Sequence, residues 1–332
     1  MSLSRRQFVQ SAGLAGLGLL AGCGLAPRQA SEPKRVARVG LLHASSRQLS
    51  APFLDAFRQG MDAQGYREGP DYVLELRYAE GRNERLPALA EELVRLNVDI
   101  MLTSGVAAIG AARQATTTIP IVFAATGDPV GAGLVASLAR PGGNATGLTN
   151  VAGDEAAKRL ELLKEAAPGL SRVAVLWNPS SGVAQFAQTE VAAQALHLQI
   201  LSLQLSSPGD LDSVQAAAIT GGADGLILVT GAGSATHVPQ VAAFAAEHRL
   251  PGISQETGFA RAGGLMEYGP NITQNYRRAA EYVDKILKGA SPADLPVERP
   301  MRFDFVINAK TAQTLGLTIP QHVLLQATEL IQ

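Results

Sequence analysis

The chain of 332 residues is poor in several kinds of chemistry, and each shortage narrows what it can do. It has one cysteine, Cys23, so no internal disulfide can staple the fold, and beyond Cys23 no thiol nucleophile is left. The five histidines, at 43, 197, 237, 248 and 322, form no HxH or HxxxH pair, which argues against a metal site. Aromatic residues make up 5%, so the core must be built mainly from Ala, Val, Leu and Ile. There is no GxSxG nucleophile turn and no GxxxxGKS/T phosphate loop. One GxGxxA match, Gly131 to Ala136, stands six residues beyond the strand before it and includes Pro129 in the gap, whereas a dinucleotide turn follows its strand at once. These absences leave no cofactor and no catalytic apparatus to point to. A formal net charge of −1 gives no basic excess for nucleic acid.

What is present begins at the N-terminus. Arg5 and Arg6 are the only charges before Cys23, and a Gly- and Ala-rich apolar stretch follows from Ala12 to Ala21. That is the layout of an export signal, and the stretch is too short for a spanning helix, which needs about 20 apolar residues. SRRQF (4–8) has the form of a twin-arginine signal, so Tat and Sec export both stay open. LAGC (20–23) resembles a bacterial lipobox, which implies cleavage before Cys23 and a lipid on its sulfur; an ordinary signal with an incidental cysteine is the alternative. The polar GLAPRQASEPKR that follows reads as a tether.

From Val36 onward strands alternate with amphipathic helices. VARVGLL (36–42) reads as a buried strand. Phe53, Phe57 and Met61 recur at helical spacing, residues 72–78 alternate as a strand, and Leu86, Leu89, Ala90, Leu93 and Val94 mark another helix. The pattern then starts again: RVGLLHASS (38–46) is echoed by RVAVLWNPSS (172–181), DIMLTSG (99–105) by DGLILVTG (224–231), and IPIVFAAT (119–126) by LPGISQET (250–257). Three echoes in order predict two copies of one α/β lobe, each a parallel Rossmann-like sheet flanked by helices. A further amphipathic helix around 276–287 and a last strand over 301–308 imply that the chain crosses between lobes more than once, through a hinge of several strands.

Ligands of open parallel sheets bind beyond the carboxyl ends of the strands. Here those ends carry Ser45 and Ser46, Ser104 and Gly105, and Thr126 and Asp128 in the first copy, and Asn178, Ser180, Ser181, Thr230 and Glu256 in the second. Small hydroxyl and glycine residues leave helix N-terminal amides open to an anion such as a carboxylate, and Asp128, Glu256 or Asp154 offers a partner for an ammonium. The same residue types also serve simply as helix N-caps. Trp177 is either a stacking platform or a core-edge aromatic, and His43 holds the matching place in the first copy.

The stretches 119–150 (IPIVFAATGDPVGAGLVASLARPGGNATGLTN), 268–298 (YGPNITQNYRRAAEYVDKILKGASPADLPVE) and 305–320 (FVINAKTAQTLGLTIP) resemble the substrate-binding proteins of ABC transporters, in the family that includes tryptophan- and tyrosine-binding lipoproteins. The resemblance implies the periplasmic-binding-protein type I fold. It implies a cleft that closes on a small ligand (an amino acid is the first class) and delivery to a permease and its ATPase. It places Ser104, Gly105, Thr126, Asp128, Ser180, Ser181 and Thr230 at the cleft. The expected organisation is an export signal over 1–22, a tether over 23–35, lobe 1 from 36–148 plus about 268–296, and lobe 2 from 149–267 plus about 297–332. The expected protein is a non-enzymatic monomer held by lipid on the periplasmic face of a membrane. A sensing lobe of a signalling system and an enzyme using the same cleft are the rival readings.

Overall fold

The computed structural model describes residues 35–150, 155–179, 182–229 and 234–332. The first sheet is parallel throughout, in the order β2-β1-β3-β4-β5: β1 (Ala37–His43), β2 (Tyr72–Tyr78), β3 (Ile100–Thr103), β4 (Ile121–Phe123) and β5 (Ala145–Gly147). Helices α1 (Arg47–Ala63), α2 (Leu86–Arg95) and α3 (Val106–Ala115) connect its strands. β1, β3 and β4 are buried on both faces, which is why they read as continuous apolar runs rather than alternations.

The second sheet has the order β12-β11-β10-β9-β8-β6-β7. Its strands are β6 (Arg172–Trp177), β7 (Gln199–Gln204), β8 (Gly225–Leu228), β9 (Gly252–Ser254), β10 (Met266–Pro270), β11 (Phe303–Asn308) and β12 (Glu329–Ile331). α4 (Glu155–Ala166), α5 (Val183–Ala195), α6 (Leu211–Thr220) and α7 (Ser234–Glu247) are interleaved with them. All pairs are parallel except β10 with β11. The two α/β sheets expected from the internal echoes are present. The end of the chain differs from expectation. The helical tail is broken into α9 (Ala309–Leu315) and α10 (Gln321–Leu324), and its last residues form the edge strand β12.

α8 (Ile272–Leu287) lies between β10 and β11 in sequence but packs on α1 of the first sheet. Tyr276, Ala279, Ala280 and Val283 share one apolar cluster with Phe57, Met61, Val39 and Leu102. The contact is close because Gly60 faces Ala280: a methyl at Gly60 would collide with the Arg277 carbonyl. After α8, Glu298 pairs with Leu148 beside β5. The chain therefore changes sheets three times: after β5, between Pro270 and Ile272, and between Glu298 and Phe303.

Candidate functional site

At the carboxyl end of the first sheet the backbone turns at Gly105, whose φ of +81° suits glycine. Its N–H donates to the Ala125 carbonyl at 2.8 Å, which fixes the start of α3 beside the segment after β4. No side chain caps α3, so its first amides face outward with the positive end of the helix dipole. Ser104 accepts a 2.8 Å hydrogen bond from the Tyr276 hydroxyl. Thr126 is 1% exposed, and its Oγ1 has no hydrogen-bond partner. Its carbonyl accepts from Thr149 Oγ1 and the Asn150 N–H, and Asn150 Oδ1 is also unpaired. Ser104, Gly105 and Thr126 are thus brought together, next to the first change of sheet.

The other first-sheet candidates are held more locally. Ser46 is the N-cap of α1, accepting from the Leu49 N–H. Ser45 donates its N–H to His43 Nδ1 at 3.1 Å and places its Oγ 2.9 Å from the same nitrogen. Burial lowers the His43 pKa to about 4, so the ring is neutral at pH 7. Phe53 stacks on Tyr276 at a centroid distance of 5.3 Å, with the His43 ring 6.4 Å from Phe53. Asp128 is exposed, and its Oδ1 accepts the N–H groups of Val130 and Gly131, so one carboxylate oxygen is used to shape the turn.

In the second sheet, the buried Asn178 donates to the Leu205 carbonyl and accepts the Gly182 N–H on its own carbonyl. The half-buried Glu256 follows β9, with its N–H donating to Ser254 Oγ at 3.0 Å. Gln255 Oε1, beside it, is buried and unpaired. Trp177 is a core-edge aromatic rather than a platform: its ring stacks on Phe186 at 4.4 Å and its Nε1 donates to Ser202. Ser180, Ser181, Thr230, Asp154 and Cys23 lie outside the described residues.

Sequence reasoning missed Arg159. Its side chain is wholly buried on α4, donating to the Tyr268 carbonyl and to Gln185 Oε1 while Nε has no partner. Burial lowers its pKa to about 10 against the opposing pull of Glu155, Tyr268 and Glu256. The signal was in the sequence: Ala156, Arg159, Leu160 and Leu163 share one helical stripe, and an arginine in an apolar stripe needs a reason. A cavity of about 230 Å³ lies at the other end of this sheet, lined by Leu170, Asp224, Arg249 and Leu317. Asp224 is already occupied by Ser171 and the Arg172 N–H, so that hollow offers little chemistry. Among the described residues no group of three metal-ligating side chains occurs, and no helix is long and apolar enough to cross a membrane.

Residues 46–331 match the family model described as ABC transporter substrate binding protein. The chain belongs to this family. The substrate-binding protein is 25% identical to the tyrosine-binding protein of Clostridioides difficile (strain R20291), over 92% of this chain and 90% of that one. It is 27% identical to a conserved domain protein of Vibrio cholerae of solved structure, with a TM-score of 0.82 over 89% of this chain and all of the other. It is 25% identical to a Streptococcus pneumoniae ABC domain solved with L-Trp, at a TM-score of 0.82 over 90% of this chain and all of that one. The two-lobed architecture is the type I periplasmic-binding-protein fold. Members of the family work outside the cytoplasm, and this one captures a small-molecule solute for an ABC permease.

Proposed function

We propose that the ligand is a small amino acid, aromatic in the first instance, held between the lobes by its two charged ends. The observation that carries this reading is the Thr126 hydroxyl, buried and without a partner, beside the uncapped N-terminus of α3. A buried hydroxyl left unpaired costs about 1–3 kcal/mol, so it is kept where something arrives to use it. Ser104, Gly105 and Thr126 suit a carboxylate, and Glu256 on the other lobe suits an ammonium. The Phe53–Tyr276 stack supplies an aromatic shelf nearby. The relatives described as binding tyrosine and solved with L-Trp favour the same class. Ligand touching both lobes selects the closed state, since only that state contacts it from two sides.

In this reading the protein is a binding component and not an enzyme. It works as a monomer, anchored on the periplasmic face through lipid on Cys23, after export by Tat or Sec. We assign lobe 1 to 36–148 with about 271–298, and lobe 2 to 149–270 with about 299–332. The shift of a few residues from the boundaries read in the sequence follows the pairing of β10 through Pro270 and of Glu298 with Leu148. Thermal-shift titration with amino acids, organic acids, sugars and nucleobases tests the ligand class. Ligand at about 100 times its dissociation constant stabilises a fold by about 2.7 kcal/mol. A shift with L-tyrosine or L-tryptophan is expected, and a shift confined to sugars or nucleobases overturns the class.

A further inference from the structure

Glu256 sits at the start of a tight turn over residues 255–263 that closes over the buried ring of Phe259. Three bonds set its backbone course: the Glu256 N–H donates to Ser254 Oγ, the Phe259 N–H to the Glu256 carbonyl, and the Gly258 N–H to Glu267 Oε2 at 2.8 Å. Glu267 is on β10, where Met266 and Tyr268 face the main core of the second sheet, so its side chain is on the opposite face, under the turn. It is 6% exposed and, among the described residues, has no cation within salt-bridge distance. Arg261, on the turn itself, is drawn away to Glu329 on β12. β9 presents uncharged Ser254 opposite Glu267, and β11 brings the like-charged Asp304 near.

We infer that Glu267 is a positioning residue whose carboxyl group latches the Glu256-bearing turn shut when protonated and lets it loosen when ionised. The inference rests on the reading of Glu256 as a ligand contact. Burial raises the Glu267 pKa to about 7, with Asp304 adding to the rise and the Gly258 and Ala260 N–H groups and Arg261 opposing it. A carboxyl group whose pKa is raised in the closed turn favours closure below its solvent value of about 4.5, and loses that contribution as pH rises through about 7. Opening returns the ionised group to water. A protonated carboxyl keeps an acceptor oxygen for the Gly258 N–H, and a glutamine at this position would do the same at every pH.

Amide hydrogen exchange of the full chain at pH 5.5 and 7.5 tests this, with protection factors corrected for intrinsic exchange. In the parent, protection at Gly258 and Ala260 is expected to fall on the order of tenfold between the two pH values. Glu267→Gln should hold the same protection at both and melt higher than the parent at pH 7.5, with the two converging toward pH 5.5. Glu267→Ala, which has no acceptor, should lose protection at both. PH-invariant protection in the parent, or an alanine variant as protected as the parent, overturns the inference. A Glu256→Gln arm titrated with L-tryptophan separates the two ideas: unchanged affinity there removes Glu256 from the ligand site, while the exchange data still judge the latch.

Discussion

The hydroxyl of Tyr276 and the Oγ of Ser104, 172 positions apart in sequence, meet at 2.8 Å. Tyr276 comes from α8, the helix that returns to the first sheet after the second is nearly complete, and Ser104 directly follows β3. One contact thus joins the returning segment to the place we propose for the ligand's carboxylate. Burial holds the phenol protonated by raising its pKa, so it acts as a fixed donor to Ser104. The serine's own proton is left free to point elsewhere.

Tyr276→Phe keeps the stack on Phe53 and removes only this donor. It is expected to destabilise the protein by about 1 kcal/mol, the typical net contribution of one hydrogen bond. Affinity for the ligand should fall by more than that loss accounts for, because Ser104 is no longer oriented. Urea denaturation and calorimetric titration of parent and variant make the comparison.

Thr126→Val replaces a buried, unpaired hydroxyl with a methyl of nearly the same shape. Removing an unsatisfied polar group from the interior is neutral or stabilising by about 1 kcal/mol. The ligand-free variant should therefore melt at or above the parent temperature, while its ligand binding weakens about tenfold or more. An unchanged affinity would show that the hydroxyl is not a ligand contact.

Much of this was legible in the sequence, and the limits have physical causes. The buried strands β1, β3, β6 and β8 announce themselves as apolar runs, and their echoes gave away two lobes. β5 and β10 did not: Ala145–Gly147 and Met266–Pro270 contain glycine, proline or polar residues because they lie next to the changes of sheet. The candidate site residues were picked out as a class, from their place after strands. Which of them are available is decided by tertiary bonds. Asp128 and Ser46 look as free in sequence as Thr126, but they serve turns and caps, whereas the Thr126 hydroxyl has no partner. The pairing of Tyr276 with Ser104 depends on α8 returning to α1, which no local pattern encodes.

His43 gives a pH dependence with a definite sign. Its pKa falls from 6.5 to about 4 on burial, and its Nδ1 accepts the Ser45 N–H, which a protonated nitrogen cannot do. Between those values the unfolded chain binds more protons than the folded one. The contribution of His43 is complete above pH 6.5 and is lost as pH falls through about 4. Going from pH 7 to pH 5 should remove about 2 kcal/mol of stability through this residue alone. His43→Asn should flatten that part of the profile. Glu267 slopes the opposite way over an overlapping window, so the two are resolved only by comparing single variants with the parent.

Arg159 tests how lobe 2 is tied together next to the first two changes of sheet. Its guanidinium reaches the Tyr268 carbonyl on β10 and Gln185 on α5 from a base on α4, so one planar group links three elements. Lysine has a single nitrogen in place of that fork and cannot reach both acceptors with the same geometry. Arg159→Lys should therefore rescue little, and both Arg159→Lys and Arg159→Met should lower stability by roughly 2 kcal/mol or more through the acceptors they strand. The methionine variant fills the buried volume without the cost of burying a charge. If it proves as stable as the parent in urea while binding is lost, the cation acts on the ligand site through Glu256, whose charge it feels. If stability and binding fall together, the arginine holds lobe 2 in shape, and its effect on ligand follows from that alone.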